Sequence, residues 1–109
     1  MTTLSESVHS TVVNQPTPAV KKAIKWVLEN EAKLIAKIED VFGKKIADSV
    51  RQNIGPVRSA LKDLLGYTTV SYKTIEDHVA SKLSSKVGLT KAKAIGVAVS
   101  KAIELIAPS

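Results

Sequence analysis

Apolar residues recur three and four positions apart along most of the chain, the spacing that lays one greasy face along a helix. From Pro18 to Phe42 two such stripes follow one another: Val20, Ala23, Ile24, Val27 and Leu28, then Leu34, Ile35, Ile38, Val41 and Phe42. At about 100° per residue, the step from Leu28 to Leu34 leaves the second stripe roughly 240° around from the first. One straight helix could not bury both. The pattern therefore predicts a break near Asn30, with Thr17 capping the first helix, Pro18 in its first turn and Gly43 closing the second.

A third helix over 44–54 places Ile46, Ala47, Val50 and Ile54 on one face. Gly55-Pro56 reads as its stop, and Pro56 as the start of a fourth helix carrying Val57, Ala60, Leu61, Leu64 and Leu65 up to Gly66. The stretch from Tyr67 to Val70 is β-prone but has no partner strand, so it reads as an extended connector. Ser71 or Thr74 caps a fifth helix bearing Ile75, Val79 and Leu83. Val87-Gly88-Leu89 turns the chain, and Thr90 caps a last helix over 91–107 that Pro108 ends.

That last helix is apolar around most of its circumference, through Ala92, Ala94, Ile95, Val97, Ala98, Val99, Ala102, Ile103, Leu105 and Ile106. Helices of this kind sit centrally with neighbours around them, and Gly96 and the alanines permit close approach. The expected fold is all-α: a compact bundle of five or six short helices around an apolar C-terminal helix. Residues 18–109 form the domain. Residues 1–17 form an arm in which Leu4 to Val13 is weakly helical behind a Thr3–Glu6 capping-box spacing, and Asn14-Gln-Pro-Thr-Pro18 is the break. Lys22-Ala-Ile24 with Leu34-Ile-Ala36 echoes Lys93-Ala-Ile95 with Leu105-Ile-Ala107, a faint internal likeness that superposition must decide.

A length of 109 residues fits one domain with a small core, and 44% hydrophobic residues argue against disorder throughout. There is no cysteine, which excludes disulfide scaffolds, thiolate metal sites and thiol catalysis. Aromatics are limited to Trp26, Phe42, Tyr67 and Tyr72. Sixteen Lys and Arg against ten Asp and Glu give a formal charge of +6, and only Arg51 and Arg58 are arginines. Lysine acts as a mobile point charge, whereas bidentate reading of phosphates or base edges favours arginine. The balance suits diffuse attraction to an anionic surface. No apolar run is long enough to span a bilayer, and Met1 to Val13 lacks the basic start and apolar run of a signal peptide. Secretion would then require a leader outside this sequence; the alternative is a cytoplasmic protein.

Few residues offer chemistry. Glu76-Asp77-His78 and Glu39-Asp40 are adjacent on helices and so diverge rather than converge, and His78 reads as an ordinary solvated side chain. His9 lies on the arm. No phosphate loop, nucleophile elbow or helix-borne histidine pair is present. The expectation is a protein that is not an enzyme, with no catalytic residue, no metal and no cofactor.

The remaining signal is basic. Lys21, Lys22 and Lys25 share one face of the first helix, Lys44 and Lys45 follow Gly43, and Lys82, Lys86, Lys91 and Lys93 gather around the last turn. With Trp26, which suits either a membrane interface or the core, these are the candidate membrane-contacting residues. A helix-turn-helix layout can also be drawn, from Thr74 to Leu83 and from Lys91 onward. Its second helix, however, lacks the polar side chains that read bases.

Across residues 19–107 the chain resembles the linear, leader-processed helical bacteriocins of Gram-positive bacteria, in particular the enterocin V group and its streptococcal relatives. The likeness lies in Ala23-Ile-Lys-Trp-Val27, Phe42-Gly-Lys-Lys45, Leu61-Lys-Asp-Leu-Leu65, the extended Tyr67-to-Tyr72 link, and Val87-Gly-Leu-Thr90 opening an apolar final helix. The resemblance implies a secreted multi-helix protein that inhibits other microbes. With the lysine clusters, the expected partner is an anionic lipid membrane, with no small-molecule substrate and a monomer in solution. The rival readings are a small nucleic-acid-binding or regulatory protein and a cytosolic interaction module such as a bacteriocin immunity protein.

Overall fold

The computed structural model of the chain describes residues 16–107. Its six helices are α1 (Thr17–Leu28), α2 (Glu31–Phe42), α3 (Lys44–Gln52), α4 (Ile54–Leu64), α5 (Tyr72–Val87) and α6 (Leu89–Ile106). There are no strands among the described residues. The expected arm helix over 4–13, with its Thr3 cap and His9, lies outside them. The fold is the expected all-α bundle, and α6 packs against α5, α2, α3 and α1.

Two kinds of junction make so many short helices compatible with one core. Asn30 and Asn53 stand between α1 and α2 and between α3 and α4. Each donates its side-chain amide back to a carbonyl one turn earlier: Asn30 Nδ2 to Trp26 O at 2.8 Å and Asn53 Nδ2 to Ser49 O at 2.8 Å. Each also offers its own carbonyl to the first turn of the next helix, Asn30 to Leu34 and Asn53 to Val57. A single side chain thereby satisfies an orphan group of the helix that ends while the backbone begins the next. Gly43 and Gly88 do the other two junctions alone, each at once the last cap of one helix and the first cap of the next. Their φ values of 96° and 88°, with ψ of 165° and 157°, lie in a region essentially restricted to glycine.

The break at Asn30 and the closure at Gly43 fall where the apolar stripes place them. Four local readings are corrected. The third junction is Asn53, not Gly55-Pro56: both of those residues lie within the first turn of α4. A proline there loses no helical hydrogen bond, because the first N–H groups have no intrahelical partner, and Gly55 carries no Cβ to clash with the proline ring behind it. The last helix starts at Leu89 under Gly88, so Thr90 is inside it and does not cap it. Thr17 is the first residue of α1 rather than its cap. Its hydroxyl instead accepts from Val70 N at 3.2 Å, tying the extended connector to α1. Finally, the Lys22–Ala36 echo of Lys93–Ala107 is no structural repeat, since the first copy breaks at Asn30 and the second runs through one continuous helix.

Ser71 and Thr74, alternatives as caps of α5, act together. Ser71 Oγ accepts from Thr74 N at 3.1 Å and Thr74 Oγ1 accepts from Ser71 N at 3.1 Å, a reciprocal capping box.

The core is aliphatic: Val20, Ile24 and Val27 from α1, Leu34 and Ile38 from α2, Val50 from α3, Leu61 and Leu64 from α4, Ile75, Val79 and Leu83 from α5, and Ile95, Val99 and Ile103 from α6. Its tightest seam is the antiparallel α5–α6 hairpin. Ser100 Oγ donates to Tyr72 O at 2.7 Å, and one turn along Gly96 lies so close to α5 that a Cβ there would sit 2.5 Å from Glu76 O. The expectation that α6 would be covered nearly all round needs correcting. Leu89, Val97 and Leu105, eight residues apart and so about 80° further round at each step, are exposed to 60%, 41% and 51%.

Candidate membrane-facing surface

Charge on this surface is divided between paired and unpaired groups. Glu31, at the first turn of α2, meets Arg58 of α4 in a two-pronged contact, Nε to Oε2 at 2.5 Å and Nη2 to Oε1 at 2.6 Å. That hydrogen bond holds the Glu31 carboxyl below its ordinary pKa and Arg58 above its own. Asp63 of α4 accepts from two α5 side chains, Lys82 Nζ at 2.7 Å and His78 Nε2 at 2.9 Å. Lys82 first and His78 second depress its pKa. The Tyr67 ring lies against His78, centroids 5.7 Å apart. His78 is therefore a half-buried member of an α4–α5 polar junction, not the freely solvated residue its sequence neighbours suggest. Lys73 serves Glu76 and Asp77 on its own helix, with its pKa raised by the Glu76 contact first. Glu76 and Asp77 thus share Lys73 while His78 turns to Asp63, and among the described residues no group of three His, Asp or Glu could hold a metal.

The Asp63 and Glu31 shifts predict a modest loss of stability in acid, both pairs being open to solvent. Both carboxyls have folded pKa values below their unfolded ones, so the stability they contribute is fully present above the unfolded value, about 4. It is lost as pH falls through the lower folded values. Thermal melts should show a flat midpoint from neutral pH down to about 5 and a fall below about 4. Asp63→Asn and Glu31→Gln should each be less stable than the parent at pH 6, with the gap closing towards pH 3.

The ten sequence candidates separate. Lys21, Lys22 and Lys25 are brought together, lining one groove of about 490 Å³ with Thr17, Pro18 and Thr68. Trp26 is half-buried against the core with Lys33 Nζ 5.7 Å from its ring centroid, a position between the two proposed for it. Lys44 is 3.7 Å from Asp48, and Lys82 is engaged by Asp63. Lys45, Lys86, Lys91 and Lys93 are exposed and, like the α1 lysines, lie more than 4.0 Å from any described carboxylate. Lys86, Lys91 and Lys93 flank the Gly88 turn.

Three of these lysines run against helix electrostatics. Lys44 and Lys45 are the first two residues of α3, and Lys91 is the third of α6. Cations there face the positive end of the helix dipole, an arrangement that disfavours the fold by a few tenths of a kcal/mol or about 1 at most per charge. Neither helix has a side-chain cap or a first-turn acid to offset it.

The sequence reading missed the exposed apolar groups. Val41 and Val97 border a shallow groove of about 510 Å³ with Phe42, Tyr72 and the charged residues Lys73, Glu76, Lys101 and Glu104. No helix among the described residues is long and apolar enough to cross a membrane. The helix-turn-helix layout is also corrected. A single glycine folds α6 back along α5 from Gly88 to Ser100, so α6 cannot project from its partner as a recognition helix does.

Residues 13–106 match the protein family described as Uncharacterised protein YqxI. The chain belongs to this family. The match extends from ahead of α1 to the last residue of α6, so the YqxI unit is the whole bundle rather than one part of it. No curated protein and no solved structure matches the chain.

Proposed function

We propose that the protein is a cationic helical antimicrobial protein, a bacteriocin that acts on the anionic membranes of competing microbes. The observation that carries this reading is the set of lysines without a described carboxylate partner. Six of them, Lys21, Lys22 and Lys25 in the α1 groove and Lys86, Lys91 and Lys93 around the Gly88 turn, form two clusters, and Lys45 and Lys91 stand at helix N-termini where they cost the fold stability. Lysines kept only for solubility need no such placement. Each is worth about 1 kcal/mol near an anionic bilayer. The pattern likeness to the enterocin V group supports the same direction.

The mechanism follows from the packing. Lysines draw the folded monomer to anionic headgroups. The core is built of small aliphatics, so separating its elements exposes less apolar area than parting large aromatic side chains would. The α5–α6 hairpin, sealed at Gly96 and Ser100, moves as one unit while the single-residue junctions at Gly43 and Asn53 let the shorter helices swing. Apolar faces then enter the interfacial zone, where an amphipathic helix is stable. No small-molecule substrate, cofactor or catalytic group takes part, and the protein acts after secretion.

The test is dye release from phosphatidylglycerol-containing vesicles and from pure phosphatidylcholine vesicles, beside growth inhibition of a panel of Gram-positive bacteria. Release from the anionic vesicles alone, with inhibition, is the expected result. Silence in both assays, with steeply salt-dependent binding to duplex DNA, would replace this reading with a nucleic-acid-binding one. Silence in all three would leave the interaction module.

A further inference from the structure

We propose that the tip of the α5–α6 hairpin is the point of membrane docking. Leu89 enters the interfacial zone of an anionic bilayer, and Lys86, Lys91 and Lys93 rest on the phosphate headgroups around it. This rests on the membrane reading above and specifies which part of the folded surface makes first contact.

Leu89 is 60% exposed, the highest value among the exposed large hydrophobics of the described residues. It contributes neither to the core nor to a cap, since Gly88 supplies the junction. Along the chain on either side of it the charge is one-sided. From His78 to Ile103 the chain contains no acidic residue, while Lys82, Lys86, Lys91, Lys93 and Lys101 all fall within that stretch. The nearest acids along the chain are Asp77 and Glu104. Asp77 is 3.4 Å from Lys73, and Glu104 is 3.8 Å from Lys101. The one carboxylate reaching this half of the hairpin from elsewhere is Asp63, which takes Lys82 and His78. Lys86, Lys91 and Lys93 are left uncompensated among the described residues.

The other exposed apolar groups lack this setting. Val97 shares its groove with Lys73 and Lys101 but also with Glu76 and Glu104, a charge-balanced surface. Leu105 adjoins Glu104. Leu89 and Lys93 line a groove that also holds Glu76 and Asp77, but Lys73 takes both of those acids, and Lys86 and Lys91 beside the turn add positive charge with no described carboxylate within 4.0 Å, a combination that suits an anionic lipid interface. The flexible stems of Lys86 and Lys91 let their ammonium groups stay at headgroup depth while Leu89 goes deeper.

The experiment uses the full chain and co-sedimentation with phosphatidylglycerol/phosphatidylcholine vesicles. Leu89→Ser should weaken partition about tenfold, the effect of withdrawing one exposed leucine from apolar contact. Joint Lys86→Gln, Lys91→Gln and Lys93→Gln should weaken it about a hundredfold, at about 1 kcal/mol per lysine. Leu105→Ser, an equal apolar loss elsewhere on α6, should change it less than twofold. These side chains are exposed, so the leucine variants should melt close to the parent, and the lysine variant should melt no lower than the parent because Lys91 stands against the helix dipole. As a depth readout, Leu89→Trp in a Trp26→Phe background should give fluorescence quenched by brominated lipid. If the parent binds the anionic vesicles and Leu89→Ser and the lysine variant bind as tightly, the tip is not the docking point, though the membrane reading stands. If the parent binds neither vesicle type, both fall.

Discussion

Replacing Gly96 by valine should lower stability by about 3 kcal/mol, the upper part of the range for overpacking a filled interior. For a domain of this size that is a fall in melting midpoint of at least roughly 12 °C. The cause is the α5–α6 seam. Even the Cβ of alanine at Gly96 would lie 2.5 Å from Glu76 O and 3.4 Å from Ala80 Cβ. The near atom is backbone, so no rotamer change relieves the contact, and the two helices must part along their length. Parting them also lengthens the Ser100–Tyr72 hydrogen bond and thins the contacts of Ile95, Val99 and Ile103. Against this, alanine gains about 1 kcal/mol over glycine in a helix interior. Gly96→Ala should therefore still destabilise, by about 1–2 kcal/mol net. Gly66→Ala is the control, because its Cβ would make an ordinary 3.5 Å contact with Asp63 O; its midpoint should barely move. Chemical denaturation of the three variants measures this, and a Gly96→Ala protein as stable as the parent would show that the seam has slack.

The second large effect is at the glycine junctions. Gly88→Ala should destabilise by about 1–3 kcal/mol, the cost of holding a side-chain-bearing residue in this part of backbone space. There is open space around both junction glycines, so sterics with the rest of the protein play no part: no atom lies within 4 Å of a Cβ at Gly43 or Gly88. The penalty is purely local backbone strain, φ 88° at Gly88 and 96° at Gly43. It follows that Gly43→Ala should behave alike, and that the two should add, being in separate junctions with no shared partner. A double variant whose loss matches the sum of the singles within about 0.5 kcal/mol supports this. Because strain at Gly88 misaims α6 against α5, the double variant Gly88→Ala/Gly96→Ala should instead deviate from additivity. Equilibrium unfolding in urea distinguishes the two cases.

These three glycines illustrate different routes by which sequence becomes structure. Gly43 and Gly88 were legible because each sits at the end of an apolar stripe and before another, where a helix must stop. Gly96 could be singled out only as a small residue in a long apolar helix. That it faces Glu76 depends on α6 folding back with Ser100 opposite Tyr72, which no local pattern states. The misplaced third junction has the same origin. Gly-Pro is a strong local stop signal, yet a helix tolerates it in its first turn, and the side chain that actually ends α3 is Asn53, through a bond to Ser49.

The candidate surface was legible in part. Lys21, Lys22 and Lys25 share a helical face by spacing alone, and the structure places them in one groove. Lys44 and Lys82 looked equally free, but their partners differ in kind: Asp48 is one turn along the same helix and could have been read, whereas Asp63 belongs to another helix. The apolar tip was missed because Leu89 was assigned to a turn, and exposure of a turn leucine cannot be told from burial until the neighbouring helices are in place.

By itself the sequence determined that the chain is helical, where most of the helices begin and end, that the core is aliphatic, and that lysine dominates the surface. These are consequences of period, junction chemistry and composition, each acting within a few residues. Tertiary structure alone decided which side of α6 stays outside, that Arg58 meets Glu31 and Asp63 meets both His78 and Lys82, and which lysines remain without counter-charge. Those outcomes depend on how helices cross, and crossing is set by side-chain shape summed over the whole core rather than by any one stretch of chain.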